Sequence, residues 1–203
     1  MTDYFALLGQ PRLPWLDGDS LKAKFLDLSA TVHPDRVHGA SDIEKQSSHQ
    51  RSAELNAAYN CLREPKSRLQ HLLELEAGAK PKDIQQLPSG TMELFIEVGQ
   101  LCRAADAFLA ERASVTSPVL KVKLFERAQE WIERLNAVQK KLTAQRERLD
   151  AELKKLDAAW NTGSASPPDA ALSLPQLEQL WRDFSYVGRW AAQIQERVVQ
   201  LSF

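Results

Sequence analysis

Apolar residues recur at spacings of three and four along almost the whole chain, and runs of alternating Val, Ile, Thr or aromatic residues bounded by turn residues are missing. This is the repeat of a helix with one buried face, so the sequence predicts an all-α protein that needs no strands. No stretch approaches the ~18 to 20 apolar residues of a bilayer span, and Met1-Thr2-Asp3-Tyr4-Phe5 lacks the basic region and apolar core of a secretory signal. A cytoplasmic protein without a membrane partner is expected. With 26 Lys+Arg against 27 Asp+Glu the net charge is -1, which leaves no electrostatic footprint for nucleic acid. Cys61 and Cys102 are too few for a disulfide framework or a four-thiolate zinc site within one chain.

The first segment, 1–76, reads as several short helices. Asp3 to Leu8 is an apolar turn closed by Gly9 and Pro11, and Asp17 is an N-cap for a helix whose stripe is Leu21, Phe25, Leu28 and Val32. Pro34 disfavours helical dihedrals in the residue before it, so that helix stops near His33 and the chain carries Asp35, Arg36 and Gly39 into a loop. A third helix begins at Ser41 or Asp42 and ends before Pro65, with Ser52, Leu55, Tyr59 and Leu62 on one face; a fourth covers Lys66 to Leu75. Two antiparallel helices joined by a polar loop follow.

Residues 77–90, with Gly78, Pro81, Pro88 and Gly90, have no periodic apolar face and read as a linker. Residues 91–203 then predict a three-helix bundle. Its first helix runs from about Thr91 to Val115. Ser117 and Pro118 open the second, which extends to about Trp160 on a stripe including Leu124, Ala128, Trp131, Leu135, Val138, Leu142, Leu149, Leu153 and Leu156, unless it breaks near Gln145. A Ser173/Gln176 capping box opens the last, with Leu177, Trp181, Phe184, Ala191, Ile194, Val198 and Leu201 inward. The long stripe faces two helices of its own chain, so a monomer is expected.

His33-Pro34-Asp35 follows the Leu21/Phe25/Leu28/Val32 helix and precedes the Leu55/Tyr59/Leu62 helix, with Asp3-Tyr4-Phe5 and Leu7-Leu8-Gly9 upstream. In this setting residues 3 to 76 resemble the J-domain, the module that stimulates ATP hydrolysis by DnaK-type chaperones. Asp3-Tyr4-Phe5, Asn56-Ala57-Ala58-Tyr59, Leu62-Arg63-Glu64-Pro65 and Arg68 with Leu72-Leu73 narrow the likeness to the HscB-type J-proteins of iron-sulfur cluster assembly, which carry a C-terminal helical bundle after a short connection.

The resemblance implies a regulator of a chaperone ATPase, with no catalytic residue, no cofactor and no metal of its own. It assigns Asp35 to an arginine of a DnaK/HscA-type chaperone and His33 to the same contact, with Lys22, Lys24 and Arg36 as the accompanying cations. Pro34 would hold Asp35 outward, where a charge-assisted hydrogen bond can select one conformation of the partner. Leu26, Asp27 and Ser29 stand where further positive charge is expected, and residues 1–76 carry 9 Lys+Arg against 11 Asp+Glu, so docking should be weaker and less salt-sensitive than is usual for J-domains, or the partner chaperone's surface differs from the common one. The bundle would bind an iron-sulfur cluster scaffold protein through Met92, Glu93, Phe95, Ile96 and Tyr186. A bundle with a different client, or a helical adaptor carrying a degenerate J-domain, are the alternatives. A His33/Asp35 catalytic dyad fails for want of an adjoining nucleophile, and Cys61, Cys102, His33, His38, His49 and His71 fit no zinc or cluster spacing.

Overall fold

A computed structural model of the chain describes residues 2–32, 41–81, 90–161 and 170–202, with the side chains of 158–161 and 170–173 outside that description. The described residues form α1 (Tyr4–Leu7), α2 (Gly18–Thr31), α3 (Asp42–Arg63), α4 (Pro65–Ala77), α5 (Met92–Ser114), α6 (Pro118–Asn161) and α7 (Ala170–Ser202), and no strand occurs among them. None of these helices is long and apolar enough to cross a membrane. The chain divides into two compact units, Met1–Lys82 with Glu152–Trp181, and Asp83–Ala151 with Arg182–Phe203.

In the first unit, local signals set the helix ends. The Asp3 carboxylate accepts the N–H groups of Phe5 and Ala6 to open α1. At its other end the Gln10 N–H reaches the Phe5 carbonyl and the Gly9 N–H the Ala6 carbonyl, a pairing that puts Gly9 at φ +58, where a side chain would be strained. Asp17 caps α2 through the Ser20 N–H, as expected. Ser41 and Glu44 form a reciprocal capping box at the start of α3. Pro65 occupies the first position of α4, where its missing N–H is no loss.

The hairpin of α2 and α3 is antiparallel, since Phe25 stacks on Tyr59 with ring centroids 4.3 Å apart while Val32 meets Ser48. Phe5, Leu8, Leu21, Leu55, Ala58, Leu62, Leu69 and Leu72 make the core of this unit, each contributing about 1.5–3 kcal/mol for the larger side chains. Arg68 is 4% exposed and donates to the carbonyls of Pro14 (2.8 Å) and Leu62 (2.6 Å). A buried cation needs such acceptors, and here they bind the segment before α2 to the end of α3. The same segment meets α6: the Trp15 N–H donates to the Asp157 carboxylate at 3.2 Å, and the Lys154 ammonium lies 5.0 Å from the Trp15 ring centre.

In the second unit Glu97 pairs with Lys141 and Glu111 with Arg127, each at 2.6 Å, so α5 and α6 run antiparallel. Phe95 meets Trp190, Asp106 meets Arg197 at 2.8 Å, and Arg112 donates to the Leu201 and Gln200 carbonyls, so α5 and α7 run parallel. α6 is unbroken at Gln145, because Leu135, Leu142 and Leu149 keep a seven-residue repeat of buried positions and no Gly or Pro intervenes.

One boundary differs from expectation. α7 begins at Ala170, ahead of Ser173, and holds Pro175 inside it. Ala170, Ala171 and Leu172 are strong helix formers, and Pro175 stands in the second turn, where the helix loses one intrahelical bond to it.

Candidate functional site

His33, Pro34, Asp35 and Arg36 lie outside the described residues. Their frame is described. α2 ends at Thr31 with Val32 as its cap residue, and α3 starts behind the Ser41 capping box. Across the hairpin the Ser48 hydroxyl donates to the Val32 carbonyl at 2.7 Å.

Lys22 and Lys24 are both exposed on α2. Residues two apart on a helix are separated by about 200° around its axis, so these two cations are not brought onto one face. The end of the Lys24 side chain lies 3.3 Å from where a Cβ on Gly9 would stand, against the turn after α1. Leu26, one turn beyond Lys22, is 54% exposed, and Ile43 near the start of α3 is 81% exposed. Each arm of the hairpin therefore exposes an apolar side chain among the described residues.

The residues assigned to a client do come together. Met92, Phe95 and Ile96 share one face of α5 at spacings of three and four and are 51%, 41% and 47% exposed, with Glu93 exposed beside them. Trp190, only 5% exposed, lies beneath: its ring centroid is 5.8 Å from that of Phe95 and 5.8 Å from that of half-buried Tyr186. The Arg189 guanidinium stands 4.7 Å over the Tyr186 ring. A contiguous exposed apolar patch on a rigid aromatic base is the usual form of a protein-binding surface. Trp190 was not among the expected site residues. Its spacing of four from Tyr186 on a helix was the available signal.

Neither thiol is set up for chemistry. Burial pushes Cys61 up to about 11, with Glu74 nearby adding to the shift, and burial also raises Cys102; a thiol so raised is a poor nucleophile and a poor metal ligand. No group of three or more potential metal-ligating side chains occurs among the described residues.

Comparison with known proteins decides the family. No family model matches the chain. A Co-chaperone protein HscB homolog from Vibrio parahaemolyticus is 31% identical over 151 residues, 68% of this chain and 88% of that protein. The chain belongs to the HscB co-chaperone family. HscB homologs from Azoarcus sp. and Aromatoleum aromaticum are 44% and 41% identical over 73 residues, 36% of this chain, and the match spans 41% of the length of each. The fold is that of HscB structures. The chaperone HscB from Vibrio cholerae superposes with a TM-score of 0.63 at 22% identity, covering 98% of this chain and 99% of that one, and human co-chaperone HscB with 0.59 at 19%, covering 97% and 82%. The all-α expectation, with an N-terminal J-domain and a C-terminal helical bundle, holds.

Proposed function

We propose that this HscB-type chain is a J-domain co-chaperone that stimulates ATP hydrolysis by a DnaK/HscA-type chaperone and presents an iron-sulfur cluster scaffold protein to it. Residues 1–76 act on the chaperone, and residues 91–203 hold the client. One observation carries the reading: His33-Pro34-Asp35 stands in the connection between α2 and α3 of a chain that belongs to the HscB family. The chain makes and breaks no bond itself. The Asp35 carboxylate forms a charge-assisted hydrogen bond with a cation of the chaperone, favours one of its conformations, and so raises hydrolysis at a distance from the nucleotide.

With Lys22 and Lys24 on opposite sides of α2 and Leu26 exposed one turn beyond Lys22, chaperone docking relies on apolar contact and the tripeptide more than on long-range attraction. Met92, Glu93, Phe95, Ile96 and Tyr186 form the client surface. Two free cysteines accord with a reducing, cytoplasmic setting.

A second reading keeps the chaperone contact and changes the client. It is favoured by the scarcity of carboxylates beside the patch, since Ile96, Val98, Gly99 and Gln100 stand where the resemblance to HscB-type proteins would supply more of them. Two measurements on the full chain test both. Steady-state ATP turnover by the cognate chaperone should rise with added chain, and His33→Gln should remove the rise; no stimulation at any concentration rejects both readings. Titration of the purified scaffold should show binding that Phe95→Ala with Tyr186→Ala removes, and absence of scaffold binding leaves the different client.

A further inference from the structure

The stripe of α6 through Leu124, Ala128 and Leu135 is buried. A second, shorter stripe on the same helix is not. Val122, Phe125, Gln129 and Ile132 recur at spacings of three and four, and Val122 stands two residues from Leu124, about 200° away around the axis. Val122 is 64% exposed, Phe125 61%, and Val119 beside them 71%. Together they leave on the order of 400 Å² of apolar surface facing water, a size of patch that is often functional. The patch is separate from the client surface: Glu97, next to Ile96, meets α6 at Lys141, about 24 Å along the axis from Phe125.

Charge on the two flanks says what fits this face. Lys121 precedes Val122 and Glu126 follows Phe125, so a cation borders the stripe on one side and a carboxylate on the other. Both are exposed, and neither is in an ion pair among the described residues. When two parallel helices are related by a two-fold axis, the left flank of each lies against the right flank of the other, and Lys121 of each copy meets Glu126 of the other. Antiparallel helices put like flanks together and forfeit both pairs. A three-four repeat bordered by opposite charges is the pattern of a parallel two-stranded seam.

We infer that the chain self-associates through this face: two copies lay the Val122/Phe125 stripes of α6 side by side in parallel, with Lys121 of each paired to Glu126 of the other. The monomer expected from the sequence followed from the core stripe alone. Two such patches with their flanks bury on the order of 1,000 Å², the lower limit for a specific contact, so the dimer is weak, with a dissociation constant in the micromolar range or above.

The test is sedimentation equilibrium of the full chain from about 10 µM to about 1 mM, read beside thermal melts. The natural chain should pass from monomer to dimer over this range. Phe125→Ala, which removes an exposed ring, should melt as the natural chain does and weaken association about tenfold or more. Lys121→Glu sets like charges against each other in both pairs and should weaken association several-fold, more at low salt than at high; adding Glu126→Lys should restore the natural value. A chain that stays monomeric at the highest concentration overturns the inference, and so does a dimer that Phe125→Ala leaves unchanged. A dimer indifferent to Lys121→Glu, or not restored by the double change, overturns the parallel pairing. A monomer whose affinity for the purified scaffold falls in Phe125→Ala overturns the inference by assigning the face to the client.

Discussion

The backbone N–H of Tyr4 donates to Nε2 of His71 at 3.0 Å, joining the first residue of α1 to the middle of α4. The imidazole is 4% exposed, with the Tyr4 ring centroid 4.7 Å and the Phe5 ring centroid 5.8 Å from its own. An accepting Nε2 requires the neutral ring. Burial lowers the His71 pKa from its ordinary value, and Arg12 adds to this, against the opposing pull of Asp3 and Glu74.

The sign of the pH dependence follows. The unfolded chain binds a proton at His71 near pH ~6.5, and the folded chain only at lower pH, so the stability His71 contributes is complete above ~6.5 and lost as pH falls below it. Asp3 acts in the same direction in the carboxylate range: burial raises its pKa, but the Arg12 side chain and the N–H groups of Ala6 and Phe5 outweigh that and leave it lowered. Urea midpoints at pH 7.5 and 5.5 should differ less in His71→Gln than in the natural chain, by up to about 1.4 kcal/mol. An equal pH difference in both would contradict this.

Removing the acceptor on Asp157 strands the Trp15 N–H. Asp157→Ala should cost about 1–3 kcal/mol in thermal or urea unfolding. Asp157→Asn keeps an accepting oxygen and removes a carboxylate whose pKa burial raises, so it should be much milder. Equal losses in the two variants would show that the bond is not what holds Trp15.

The helix ends were legible in the sequence because their causes are local. Asp17, the Ser41/Glu44 pair, Pro65 and Pro118 each act within one turn. The start of α7 was misread where two local signals compete, the Ser173/Gln176 pair and Pro175 against Ala170-Ala171-Leu172. Bonds across long separations left no local trace: Trp15 to Asp157, Tyr4 to His71 and Ser48 to Val32 join residues whose types alone do not announce a partner. Of the site, the tripeptide was legible as a motif. Convergence of Phe95 and Tyr186 from two helices came through resemblance, and Trp190 between them was missed.

The client patch should separate binding from folding. Phe95 is 41% exposed, so Phe95→Ala should lower scaffold affinity at least tenfold with under about 1 kcal/mol lost in stability. Trp190, at 5% exposed, is part of the core, and Trp190→Ala should cost about 3–5 kcal/mol. Calorimetric titration beside thermal melts checks both, and an unfolded Phe95→Ala variant would place that ring in the core instead of the binding surface.

Arg112 spans the end of α7 with two donors, Nη1 to the Leu201 carbonyl at 2.9 Å and Nη2 to the Gln200 carbonyl at 2.7 Å. A cation there also meets the negative end of the helix dipole. Arg112→Ala should cost about 1–2 kcal/mol and speed amide exchange in the last turn of α7, while exchange in α1 to α4 stays as it was. Unchanged exchange at that turn would refute the capping role.

In the proposed function the Asp35 carboxylate, carried in the sequence between α2 and α3, drives a chaperone's ATP hydrolysis. Single-turnover hydrolysis by the cognate DnaK/HscA-type chaperone, with this chain added at saturation, tests it most directly. The natural chain should accelerate the turnover, and Asp35→Asn, with an unchanged melting temperature, should return it to the chaperone's own rate. Acceleration by Asp35→Asn equal to that of the natural chain, or none by the natural chain, would contradict the claim.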